Sequence, residues 1–385
     1  MKAVVCRNAE LRVEDLPDPV PGRGQLLVKV LRCGICGSDL HVRRHCNHWG
    51  ATMVASGYTA LTDTNQPVVF GHEFCAEVVD HGPGTRRKLA PGTRIVAPPL
   101  LRRGREIDMI GLSTHTTGAY AELMLVEEAM AMPVPNGLSA ELAALTEPMA
   151  VAWRAVHRGD VSRRDVAVVV GCGPVGLSVI ALLKSRGVEK IVASDYSPVR
   201  RRLAAACGAH VTVDPGEASP YAHWGPGRYP MDIPDVLKLS VGAMEKLQRL
   251  PLPWWWTFRA LTRLAGEPRG PVVFECVGAP GVLQGVIDGV PPFSRIVVVG
   301  VCMQTDHIEG SSAMNRAVDI RYAAGYSPLE FRDTLHHIAE GRADCSPLLT
   351  GTVGLDGVDA AFDALTDAGR HAKILVDPAS DRLLP

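Results

Sequence analysis

The sequence predicts an α/β protein with a mostly-β domain followed by a doubly wound parallel sheet. Three observations carry that prediction. As far as Val134, short aliphatic and β-branched runs alternate with Pro and Gly, as in PDPVPGRGQ, which is the rhythm of antiparallel strands. From Asp165 to Val213 apolar strands alternate with helical spacing over short connections, the pattern of right-handed βαβ units. Between the first of those strands and its helix stands Gly171-Cys172-Gly173-Pro174-Val175-Gly176, a turn rich in glycine.

In chain order, Lys2–Cys6, Leu11–Val13 and Gln25–Leu31 read as strands. Val42–Gln66 lacks periodicity and reads as a long loop. Pro67–Phe70, Ala76–Asp80 and Arg94–Ala97 are further strands. Ala140–Arg158 has helical spacing behind Ser139, a residue suited to cap it, with Glu141 in the first turn. Strands at Asp165–Val170, Ile191–Ser194 and Val211–Val213 then enclose helices at Leu177–Arg186 and Val199–Cys207. Residues 216–270 interrupt this rhythm, being far longer than a crossover needs, and hold helical spacing at Val236–Leu250 and Trp254–Leu264. Strands resume at Val272–Cys276 and Ile296–Val301. Helices follow at Leu329–Glu340 and Val358–Asp367, and Lys373–Val376 is a last strand. The expected division is a catalytic domain of residues 1–150 completed by 321–385, around a cofactor domain of residues 151–320.

At 385 residues the chain exceeds one ordinary core. Its 40 Lys and Arg against 41 Asp and Glu give no overall electrostatic reason to expect nucleic acid or an anionic membrane as partner. Without a run of about 18 apolar residues no membrane span is expected. The N-terminus has neither a secretory nor a transit pattern, and ten scattered cysteines suit reduced thiols, so a cytoplasmic protein is expected.

The glycine turn predicts dinucleotide binding. Gly171 permits the tight turn, Gly173 lets backbone approach a pyrophosphate, and Gly176 lets helix and strand pack closely. Asp195 ends the next strand where an acid binds ribose hydroxyls and repels a 2′-phosphate, favouring NAD over NADP. Arg200, Arg201 and Arg202 keep NADP as the alternative. In Cys33–His41 (CGICGSDLH) and Gly71-His72-Glu73, a thiol, an imidazole and carboxylates make a donor set that Zn²⁺ prefers, and Ser38 and His41 could relay a proton. Taken singly, Cys36 is as well read as a small buried residue, His41 as a surface histidine and Glu147 as a helix N-terminal acid.

Together CGICGSDLH, GHE, EPMAVAWRAV and VVVGCGPVG followed by Asp195 resemble the zinc-dependent medium-chain alcohol dehydrogenases, nearly end to end. The resemblance implies a GroES-like catalytic domain and a Rossmann cofactor domain, one catalytic zinc and reversible oxidation of an alcohol with NAD. It makes Cys36 and His72 zinc ligands, with Glu147 or Glu73 as the acidic ligand, as in the sorbitol, threonine and butanediol dehydrogenase branch. It casts Asp39 as the acid that orients the imidazole, and Ser38 and His41 as the proton path. Pro174, Val175, Arg200, Val277, Val299, Gly300 and Val301 would meet the cofactor. Gly37 offers the pyrophosphate no side chain, so Lys373 is the expected substitute. The branch points to secondary alcohols or vicinal diols, and to a homodimer or homotetramer.

The departures matter too. Relatives with a structural zinc carry four cysteines after the segment matching Arg94–Pro99; none stands there, so no structural zinc is expected. The alternatives are a non-zinc quinone or enoyl-type reductase on the same fold, and a nucleotide-binding protein without turnover. Residues 42–66 are expected to border the pocket mouth. The insertion is expected to pack on the cofactor domain or a subunit interface, with a lid or a membrane contact as the alternatives.

Overall fold

The computed structural model describes residues 1–59, 66–225, 228–265, 269–367 and 369–385. Six strands, Val166–Val170, Lys190–Ser194, Val211–Val213, Val272–Glu275, Arg295–Val298 and Asp319–Tyr322, form one parallel sheet. Numbered by sequence, their spatial order is 3-2-1-4-5-6, the doubly wound arrangement with its switch point beside Val166–Val170. Helices cover both faces of such a sheet, which explains why Val166, Ala167, Val168 and Val169 are all fully buried and why the run lacks alternation. The strand Asp319–Tyr322 carries the sheet two residues past the division expected at 320.

The other domain is mostly antiparallel. Gln25–Gly34 pairs with Glu73–His81 on one side and with the C-terminal strand Lys373–Val376 on the other, so chain ends remote in sequence meet on one strand. Its core holds Leu26, Val28, Ile95, Met124 and Val126, all with no exposed surface. Each such side chain contributes about 1.5–3 kcal/mol on leaving water. Where relatives would carry four cysteines, Leu100–Arg103 and Glu106–Met109 form a hairpin, held in part by Arg103 Nε donating to the buried Asp108.

Three readings need correction. Val42–Gln66 is not all loop: a helix runs over Gly37–Ala55, while residues 60–65 lie outside the described part. The helix begins after Cys36, whose N–H donates to Asp39 Oδ2 at 3.1 Å, and this start is set by the metal stretch rather than by an apolar stripe. Ala140–Arg158 is two helices, Ala140–Ala144 and Thr146–Arg158. Pro148 lacks an N–H and its ring would meet the Ala144 carbonyl, so the turn breaks at Leu145.

The insertion, whose residues 226, 227 and 266–268 lie outside the described part, holds helices Ile233–Gln248 and Trp254–Ala265. Its base is anchored by the buried Trp224, which stacks on Tyr221 and packs under the parallel sheet. The two helices pack on each other. Among their described residues Leu247 alone is buried, so of the two packings expected, on the cofactor domain or at a subunit interface, the first is not met.

Candidate active site

Strand pairing assembles the metal stretch. Gly34 lies opposite both Glu73 and Leu375, so Cys36 just beyond it comes beside His72 and Glu73, while Lys373 enters from the third strand. A side chain at Gly34 would overlap the Glu73 carboxylate. Ligand atoms of Cys36, His72 and Glu73 gather within 4.8 Å of one another, the one such group among the described residues.

The imidazole of His72 is held from both ends. Nε2 lies 3.3 Å from Ser38 Oγ, and Nδ1 lies 3.3 Å from Asp39 Oδ1. That second contact has ion-pair distance but not hydrogen-bond alignment, and neither of its atoms has another partner. Asp39 is itself fixed, since Oδ2 accepts from Tyr120 Oη at 2.7 Å and from the Cys36 N–H. Burial alone would depress the His72 pKa, but Asp39 and Cys36 outweigh it and hold the imidazole well above its ordinary value. Thiol, imidazole turned by a carboxylate and a further acid form a set that fits zinc, whose binding must displace that proton.

The two glutamates differ. Both Glu73 oxygens accept from Lys373 Nζ, at 2.8 and 2.6 Å, and the third Lys373 donor goes to Ile35 O at 2.9 Å. The expectation that Lys373 serves a pyrophosphate therefore fails in this arrangement, because its three donors are spent on Glu73 and Ile35. Glu147 stands at the start of Thr146–Arg158, where Oε1 accepts from Tyr326 Oη at 2.9 Å. Burial raises its carboxyl to about 7, with Glu73 adding to the effect and His72, Tyr326 and Lys373 opposing it.

The nucleotide turn follows its glycines. Gly171 has φ +89° and sits against Val277, and a Cβ on Gly176 would overlap the Gly171 carbonyl. A Cβ on Gly173 would meet nothing within 4 Å, leaving open space at the N-terminus of helix Pro174–Ser185 where a phosphate would sit. Asp195 accepts from the Cys172 and Ser197 N–H groups, each at 2.8 Å. Arg201 is committed to Asp214 and to two carbonyls, whereas Arg200 Nε has no partner.

One cleft of about 530 Å³ joins the two halves. Cys36, Ser38, His41, His72, Glu73, Glu147 and Lys373 line it from one side, and Gly173, Pro174, Val175, Val277, Val299, Gly300 and Val301 from the other. Gly171, Gly176, Asp195 and Arg200 stand behind or beyond it, and Asp39 lies behind His72. Sequence reasoning missed Tyr120 and Tyr326, which no local signal marks because only the fold brings them to Asp39 and Glu147. It also missed the apolar wall of Pro98, Pro99, Leu100, Met109, Leu112 and Val151. Among the described residues, none of 42–66 and none of the insertion lines the cleft.

Residues 22–136 match the alcohol dehydrogenase GroES-like domain family. The chain is 28% identical to the (R,R)-butanediol dehydrogenase of Bacillus subtilis (strain 168), over 98% of this chain and all of the relative. It is 24% identical to the L-threonine 3-dehydrogenase of Rhizobium rhizogenes (strain K84 / ATCC BAA-868), over 98% of each. The crystal structure of 2R,3R-butanediol dehydrogenase from Bacillus subtilis superposes with a TM-score of 0.73, at 28% identity, over 98% of this chain and 99% of that one. Fold and site together define an oxidoreductase acting on CH–OH groups. These likenesses support a place among the zinc-dependent medium-chain alcohol dehydrogenases, on their sorbitol, threonine and butanediol dehydrogenase side.

Proposed function

We propose that this protein reversibly oxidises secondary alcohols with apolar substituents to ketones, using one zinc ion per chain and NAD. The observation that carries the reading is the shared cleft, which sets Cys36, His72 and Ser38 across from Gly173, Val299 and Gly300. Cys36 and His72 would hold the metal, with Glu147 as the acidic ligand, because one of its oxygens is unbonded while both of Glu73's are paired with Lys373. When bound, zinc supplies Lewis-acid polarisation of the hydroxyl and the nicotinamide accepts hydride.

The chain's own groups do the rest. Asp39 fixes the His72 ring, and Ser38 Oγ would accept the hydroxyl proton as it gives up its own toward His41, exposed at the cleft, and water. The lining side chains Pro98, Pro99, Leu100, Met109 and Leu112 are apolar and offer no cation. A substrate carboxylate such as threonine's would find Lys373 already committed, so the apolar alcohol is favoured over the amino acid.

A substrate panel followed by NADH absorbance tests this. Across 2-butanol to 2-heptanol kcat/KM should rise by up to about 50-fold, three methylenes at about 0.8 kcal/mol each. Preference for sorbitol or threonine would overturn the substrate assignment. The assignment of NAD rests on Asp195. Replacing Asp195 with Asn, which keeps an acceptor for the turn but removes the charge, should shift the NAD to NADP ratio of kcat/KM toward NADP by about 10- to 100-fold. An unchanged ratio would remove Asp195 from the cofactor site.

A further inference from the structure

The insertion presents an apolar surface that the active site does not use. Trp255, Trp256, Phe258, Leu261 and Leu264 on one helix are exposed, Trp256 by 73% and Leu264 by 87%. On the other helix Leu237, Leu239 and Val241 are each about 60% exposed. The surface is also charged. Ile233–Ala265 holds Lys238, Lys246, Arg249, Arg259 and Arg263 against Asp235 and Glu245, a net charge of +3 in a chain whose total is −1. The overall balance of charge therefore conceals a local segregation.

We infer that this helical hairpin docks on an anionic lipid surface. Tryptophan suits the boundary between headgroup and acyl chain, since its ring has an apolar body and one polar N–H. Arg259 and Arg263 stand one turn apart on the same helix as the aromatic residues, where they can meet lipid phosphates while Trp255 and Leu264 enter the acyl boundary. Two copies of this chain meeting here would bring +3 against +3, whereas an anionic bilayer complements the charge. Among the described residues no helix is long and apolar enough to cross a membrane, so the contact is peripheral. Trp224 ties the hairpin to the sheet at its base, which leaves the helices free to lie along a surface.

Flotation of the full-length protein with vesicles tests this without reading activity, so its failure is separate from failure of the proposed reaction. Vesicles of phosphatidylglycerol and phosphatidylcholine should carry the protein upward, and phosphatidylcholine alone should carry much less. Neutralising Arg259 and Arg263 together to Gln should lower the partition coefficient by about 25-fold, from the attraction of each cation for an anionic leaflet. Trp256→Ser with Leu264→Ser should also reduce it, with turnover on a water-soluble alcohol unchanged. Protein that stays at the bottom with both vesicle types overturns the inference. So does a Trp256→Ser, Leu264→Ser protein that floats as the parent does, or one whose mass by light scattering falls, which would make the face a contact between copies.

Discussion

A Cys36→Ser protein should fold, hold no zinc and lose at least about a thousandfold in kcat/KM. Cys36 supplies the only thiolate among the gathered donors, and serine's hydroxyl is a poor substitute for a borderline-soft ion. Polarisation of the substrate oxygen by the metal is worth several kcal/mol, and 4 kcal/mol is about three decades of rate. The change is nearly isosteric and leaves intact the backbone N–H that donates to Asp39, so the start of helix Gly37–Ala55 persists. Metal analysis should give one zinc per chain in the parent and none in the variant, with unchanged thermal unfolding of the metal-free proteins. Normal zinc content or near-normal turnover in the variant would end the mechanism.

What the sequence disclosed followed the range of the interactions. The nucleotide turn was legible because its requirements are local: Gly171 needs a positive φ, Gly176 needs no Cβ, and Asp195 ends the adjacent strand. Spacing alone could not bring Cys36, His72 and Glu147 to one cleft, which they line through strand pairing and a helix more than a hundred residues beyond Cys36. Only the family resemblance linked the three. Val42–Gln66 was misread as all loop because the helix Gly37–Ala55 is started by Cys36 and Asp39 and carries no apolar periodicity to announce it. Both helices of the insertion were anticipated from spacing, yet their packing was not. Periodicity reports that a face is apolar and says nothing of whether protein covers it.

Lys373→Met should destabilise the metal-free protein by about 3–5 kcal/mol, the cost of leaving a buried charge without its partner. Lys373 and Glu73 are each about 1% exposed, and the ammonium makes all three of its bonds inside the protein, two of them to the carboxylate. Burial would lower the Lys373 pKa, but Glu73 and Cys36 outweigh it and keep the group protonated. Urea unfolding of the parent, Lys373→Met, Glu73→Gln and the double variant gives the coupling directly, and the double variant should recover most of the loss because no isolated charge remains. A single variant within 0.5 kcal/mol of the parent would show that water or another group already solvates Glu73. The same pair separates structure from chemistry. With Lys373 gone, Glu73 is released beside Cys36 and His72, so zinc retention should hold or rise while stability falls. A residue that bound the metal indirectly through the fold would lower both together.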